Sequence, residues 1–158
     1  SYYEHLEKTF YTKDKLQHTT LKPEVFLEDY AYSIAMFLDL YHQTLKPNYL
    51  FRAKELCKKT IELFYVKEKS IFQKNIVTTN DLFHKPIDIS DGNIPNGNSI
   101  MLLNFSRLKM KNEATELSNS LNGYLNIYKS LMASALKSID YFNTSNSNKN
   151  CNEEGCSI

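Results

Sequence analysis

A chain of 158 residues is long enough for one domain with one modest core, since domains commonly hold about 100–150 residues. Its 42% hydrophobic and 13% aromatic content excludes a disordered chain, which would lack the Phe, Tyr and Leu needed to offset chain entropy. Basic and acidic residues nearly balance at a formal charge of +1, too little to draw phosphate backbones or anionic lipids from a distance, so nucleic acid is not an expected partner.

No stretch approaches the roughly 20 apolar residues of a membrane span, and the opening Ser1-Tyr2-Tyr3-Glu4-His5 lacks the regions of a secretory signal. The expectation is a soluble protein with no membrane partner. Three cysteines, Cys57, Cys151 and Cys156, make no disulfide framework and fit a reducing, cytoplasmic compartment.

In chain order, Tyr3, Leu6 and Phe10 suggest the end of one helix. Residues 27–44 place Leu27, Ala31, Ile34, Leu38 and Tyr41 on one stripe, flanked by Tyr30 and Phe37, which predicts a wide-faced helix. A turn at Leu45-Lys46-Pro47-Asn48 precedes a second stripe through Leu50, Ala53, Cys57, Ile61 and Phe64. Two helices with so short a connection pack antiparallel. Lys54, Lys58, Lys59, Lys67 and Lys69 read as a solvated face, because no binding motif accompanies them.

From Ser70 to Thr79 the β-branched Ile71, Ile76, Val77, Thr78 and Thr79 predict extended structure or a small ribbon. Asn80 to Gly97 collects Pro86, Gly92 and Pro95 and reads as a long ordered loop or a linker. Helix resumes near Asn98 or Ser99, with Met101, Leu102, Leu103, Phe105 and Leu108 nearly all round it, so it should be central. Leu117, Leu121, Leu125 and Tyr128 mark its partner, and Leu131 to Phe142 a last helix. The polar stretch from Asn143 to Asn150 cannot bury apolar surface and is expected to be a flexible tail, ending in Cys151 and Cys156. The chain thus reads as all-α, about six helices in successive hairpins, with more apolar helices alternating with more amphipathic ones as in an inner and an outer ring.

Two stretches carry a resemblance. They are Phe26-Leu27-Glu28-Asp29-Tyr30-Ala31-Tyr32 with the following Leu38-Asp39-Leu40-Tyr41, and Asp91-Gly92-Asn93-Ile94-Pro95-Asn96-Gly97-Asn98-Ser99. They resemble the spermatogenesis-associated protein 20-like family, which joins an N-terminal thioredoxin-like domain to a six-hairpin α/α toroid. The family's usual form of the second stretch is Asp-Gly-Ala-x-Pro-Ser-Gly-Asn-Ser, and this chain departs from it at Asn93 and Asn96. Asn96 can still cap a helix. The resemblance runs from about Leu6 to Phe142, and the Cys151–Cys156 pair is similar to the family's C-terminal Cys-x4-Cys.

The resemblance implies a partial α/α toroid over residues 1–142 and a polar tail over 143–158. Toroids of this kind are similar to six-hairpin glycosidases and sugar 2-epimerases, whose loops line a carbohydrate-binding cavity. A carbohydrate ligand and a glycosidase-like or epimerase-like site are therefore what the resemblance implies. About six helices are half of a twelve-helix ring, so the expected partners also include the missing parts of the same protein or a second copy.

The candidate chemistry follows the same two stretches. Glu28 and Asp29 open a helix, where carboxylates interact well with the positive helix end, a role that needs no substrate. Asp29 read functionally is a general acid or base, or a group that binds sugar hydroxyls. The Asp91–Ser99 loop combines a turn, a proline and a helix start, so Asp91, Asn98 and Ser99 can converge on a polar ligand or can merely turn and cap the chain.

A glycosidase needs two carboxyl groups about 5–9.5 Å apart, one with a raised pKa, and Asp29 with Asp91 is the pair the sequence offers. Tyr30 and Tyr32 are the tyrosines that could stack on a sugar ring, whereas Tyr41 and Tyr49 read as packing. His5, His18, His42 and His84 have no convincing catalytic context. Cys57 belongs to a core, Cys151 and Cys156 match neither a redox nor a zinc spacing, and no metal and no cofactor are expected. The competing class is a non-catalytic scaffold or protein-interaction module that accompanies the thioredoxin-like domain, for which both carboxylates would serve as helix caps beside exposed apolar surface.

Overall fold

A computed structural model describes residues 8–9, 11–12, 15–16, 18, 25–76 and 86–147. The chain divides into two compact units, Ser1–Asp88 and Ile89–Ile158. Each is mainly helical, and no described helix is long and apolar enough to cross a membrane. The segments holding Tyr3, Leu6 and Phe10, residues 77–85, and the tail with Cys151 and Cys156 lie outside the described residues.

In the first unit a short antiparallel ribbon, β1 (Tyr11–Thr12) with β2 (Lys15–Leu16), precedes α1 (Leu27–Thr44). The helix buries Leu27, Tyr30, Ala31, Ile34, Phe37 and Leu38, the stripe that the 3.6-residue period marks. It stops where Leu45 turns left-handed, φ 55°, and its N–H closes on Tyr41 O at 2.7 Å.

Pro47 opens α2 (Pro47–Phe64) two residues after Leu45, where a missing N–H costs nothing. The two-residue connection folds the helices antiparallel. Ala53, Leu56, Cys57, Thr60 and Phe64 are buried along α2. The Tyr30 and Phe64 rings meet edge to face, with centroids 5.4 Å apart.

The ribbon foreseen after Ser70 forms from β3 (Tyr65–Val66) and β4 (Ile71–Phe72), pairing Tyr65 with Phe72 and Val66 with Ile71. Its first strand comes directly off the end of α2, and Ser70 at φ 48° makes the turn. Gln73 then satisfies two carbonyls left over at that helix end, its N–H reaching Phe64 O at 2.9 Å and its side chain reaching Leu63 O at 3.1 Å. The chain continues past the start of α1, where Leu27 N donates to Lys74 O at 2.8 Å and Phe26 pairs with Asn75.

In the second unit, a loop leads into α3 (Gly97–Arg107), followed by α4 (Lys111–Tyr128), a single 3-10 turn (Lys129–Leu131) and α5 (Ala133–Ser147). The helix read as central is so: α3 packs against both α4 and α5. Met101, Leu102 and Phe105 from α3 share a core with Ala114, Leu117, Leu121 and Leu125 from α4 and with Met132, Ala135 and Ile139.

A Schellman-type end closes α3. Lys109 sits at φ 59°, its N–H bonds Ser106 O at 3.1 Å, and the N–H of Met110 reaches back to Phe105 O at 2.9 Å. The last helix runs past Phe142, where the sequence pattern ends it, to Ser147. In that last turn, which carries no apolar stripe, Thr144 Oγ1 and Asn146 Nδ2 bond the carbonyls of Asp140 and Phe142 at 2.8 and 3.0 Å.

Candidate functional site

The two carboxylates that the sequence nominates fall in different units, Asp29 in the first and Asp91 in the second. Asp91 lies in the loop before α3, and its environment is closed. Its Oδ2 accepts from the Ser134 N–H at 2.7 Å, and its Oδ1 accepts from the Ser134 hydroxyl, from Asn96 N at 3.1 Å and from Asn96 Nδ2 at 2.9 Å.

Ser134 is in the first turn of α5, so Asp91 caps that helix from a different part of the chain. Burial pushes the Asp91 carboxyl up. The bonds from Ser134 and Asn96 outweigh that and hold it below the ordinary carboxylate range. Such a group stays ionised and is a poor proton donor.

Asn96 completes the closure. Its Oδ1 accepts from Ser99 N at 3.0 Å and caps α3, while its Nδ2 also lies 3.0 Å from Ile89 O and 2.9 Å from Ser99 Oγ. Asn98 and Ser99 are completely buried. The side chains of Asp91, Asn96 and Ser99 bond one another rather than a shared ligand. Asn96, which the sequence offered only as a replacement cap, is the hub of the network.

The start of α1 is more open. Phe26, the residue before the helix, gives no side-chain cap, and Glu28 and Asp29 occupy the first turn. His18 Nδ1 lies 3.0 and 3.1 Å from the two Asp29 oxygens, and its ring meets Phe26 edge to face at 5.0 Å. The Asp29 and His18 side chains are 24% and 52% exposed.

Partial burial raises the Glu28 pKa, against the opposing pull of its own backbone N–H and of Lys74; Asp88 and Asp29 add to the rise. Lys74 pairs with Asp88 at 2.8 Å, and that hydrogen bond raises the Lys74 pKa. Five ionisable groups therefore interact around one helix start. The sequence pointed to Asp29 there. It missed Glu28 as the group with the shifted pKa, and missed His18, Lys74 and Asp88 because their positions in the chain are far from the motif.

The tyrosines divide. Tyr30 is completely buried, its hydroxyl accepts from Leu16 N at 2.8 Å, and its ring packs on Phe64, so no face is left for a sugar. Tyr32 is half-buried and lines a shallow hollow of about 390 Å³ along α1 with Ala35, Met36, Asp39, Leu40 and Gln43. Cys57 is buried in the core and His42 is exposed at the end of α1. Among the described residues no group of three or more His, Cys, Asp or Glu is placed to hold a metal ion. Compared with protein-family models and with curated proteins, the chain has no match.

Proposed function

We propose that this chain is a stretch of helical scaffold, of the α/α-toroid kind implied by its resemblance to the thioredoxin-domain family, that presents apolar side chains to further helices of the same ring. The observation that carries this reading is the Asp91 carboxylate, which is used up in capping α5 and bonding Asn96 and has its pKa lowered. A glycosidase acid would show the opposite shift. Exposed Ile127 (72%), Tyr128, Leu131 (50%) and Leu136 gather in sequence around the connection from α4 to α5 and supply the apolar surface.

Light scattering over a range of concentrations tests the scaffold. The chain is expected to self-associate when its natural cover is absent, and the double substitution I127S/L131S to reduce that association. A chain that stays monomeric at every concentration overturns the reading. So does hydrolysis of nitrophenyl glycosides that is lost in D91N without loss of folded protein.

A second reading, a carbohydrate-binding site, is favoured by Glu28, whose raised pKa sits beside the Asp29–His18 pair. Two adjacent carboxyl groups, one with its pKa raised by burial and one partly exposed, can bind sugar hydroxyls. Calorimetric titration with glucose, N-acetylglucosamine, maltotriose and cellotriose checks it. Binding that weakens in E28Q and D29N supports the second reading, and no heat with any of the four removes it.

A further inference from the structure

The second unit holds a hollow of about 220 Å³ between the α3–α4 turn and the C-terminal half of α5. Arg107, Lys109 and Lys111 line it, and no Asp or Glu is among its lining residues. In a chain whose formal charge is only +1, three cations in one wall without an acid are a local excess. Neither Lys109 nor Lys111 takes part in an ion pair among the described residues.

The backbone that carries these cations is fixed. Lys109 is held at φ 59° by its own bond to Ser106 O and by the bond from Met110 to Phe105 O, so the charges stand on a closed turn rather than a loose loop. Less ordering entropy is then lost when a ligand binds. The rest of the wall is largely apolar, with Met110, Tyr141 and Phe142 contributing.

We propose that this hollow binds a phosphomonoester carried on a small apolar or aromatic body. Ammonium and guanidinium groups together suit the phosphate dianion, with charge-assisted bonds roughly twice as strong as neutral ones. Met110, Tyr141 and Phe142 take the body. The volume falls below the range of about 300–1,000 Å³ usual for drug-sized ligands, which selects one ring with one phosphate over a dinucleotide.

The test is a titration of the full chain, uniformly labelled with nitrogen-15, using phenyl phosphate as the probe and inorganic phosphate and phenol as the two halves of it. Phenyl phosphate is expected to give saturable amide shifts confined to residues 105–111, 114 and 141–146, and to bind about tenfold more tightly than either half. The double variant K109Q/K111Q is expected to weaken binding about tenfold with an unchanged melting temperature, since both side chains are exposed. Three results overturn the proposal: no saturable shift by about 10 mM, equal affinity for phenyl phosphate and inorganic phosphate, or shifts centred on the α2 lysines Lys54, Lys58 and Lys59. The last two mean an adventitious anion only.

Discussion

The starts of α1 and α3 show how one kind of sequence signal leads to two kinds of structure. Each has an acid close to a helix N-terminus. At α3 the acid sits six residues before the helix and meets Asn96 and Ser134, two partners that consume its oxygens. At α1 the acids lie inside the first turn, no side chain caps the helix, and the neighbours are ionisable groups, His18, Lys74 and Asp88. Neutral donors from two helix starts lower a carboxyl pKa and lock it. Burial among other ionisable groups raises one. An acid at a helix start is chemically informative only once its partners are known.

The largest loss is expected at Asp91. D91A removes the cap of α5 and leaves Asn96 and Ser134 without their acceptor, so a loss of about 2–4 kcal/mol is expected in urea unfolding. N96A removes the α3 cap and should cost about 1–2 kcal/mol by the same measurement. Y30F, at the other helix, leaves the Leu16 N–H without its acceptor and should cost about 1 kcal/mol.

Glu28 has a folded pKa above its unfolded value, so ionising it costs stability above the folded pKa, and that cost disappears as pH falls below the unfolded one. Asp91 has a folded pKa below its unfolded value, so its contribution is present above the unfolded pKa and is lost as pH falls through the folded one. E28Q should therefore raise the urea midpoint slightly near neutrality and leave it unchanged in acid. D91N should flatten the acid limb of the stability profile. Equal pH profiles for E28Q and the parent chain would dissolve the contrast between the two helix starts.

The helix hairpin of the first unit was legible because Leu27, Ala31, Ile34 and Leu38 repeat with the helical period and Pro47 marks the next start. The opening of α3 was legible to within about two residues from the apolar run that follows Ser99, although the cap is Asn96 rather than Asn98 or Ser99. What escaped was non-local. The Ser134 partner of Asp91 is 43 residues further on, and the His18 partner of Asp29 lies 11 residues back. The β1–β2 ribbon has no alternating run long enough to announce two-residue strands. The last turn of α5, where Thr144 and Asn146 bond backward, lies in a polar stretch that composition alone assigns to a tail.

That 43-residue separation between Asp91 and Ser134 also sets an order of events in the second unit. The turn from α3 to α4 closes between neighbours and can form early, whereas the Asp91 cap must wait until α5 has returned to the loop, after the cost of closing a long segment has been met. An interaction made that late stabilises the folded state without helping to reach it. Its loss should quicken unfolding and leave the folding rate nearly untouched, so that the network around Asp91 acts as a latch on the lifetime of the native unit.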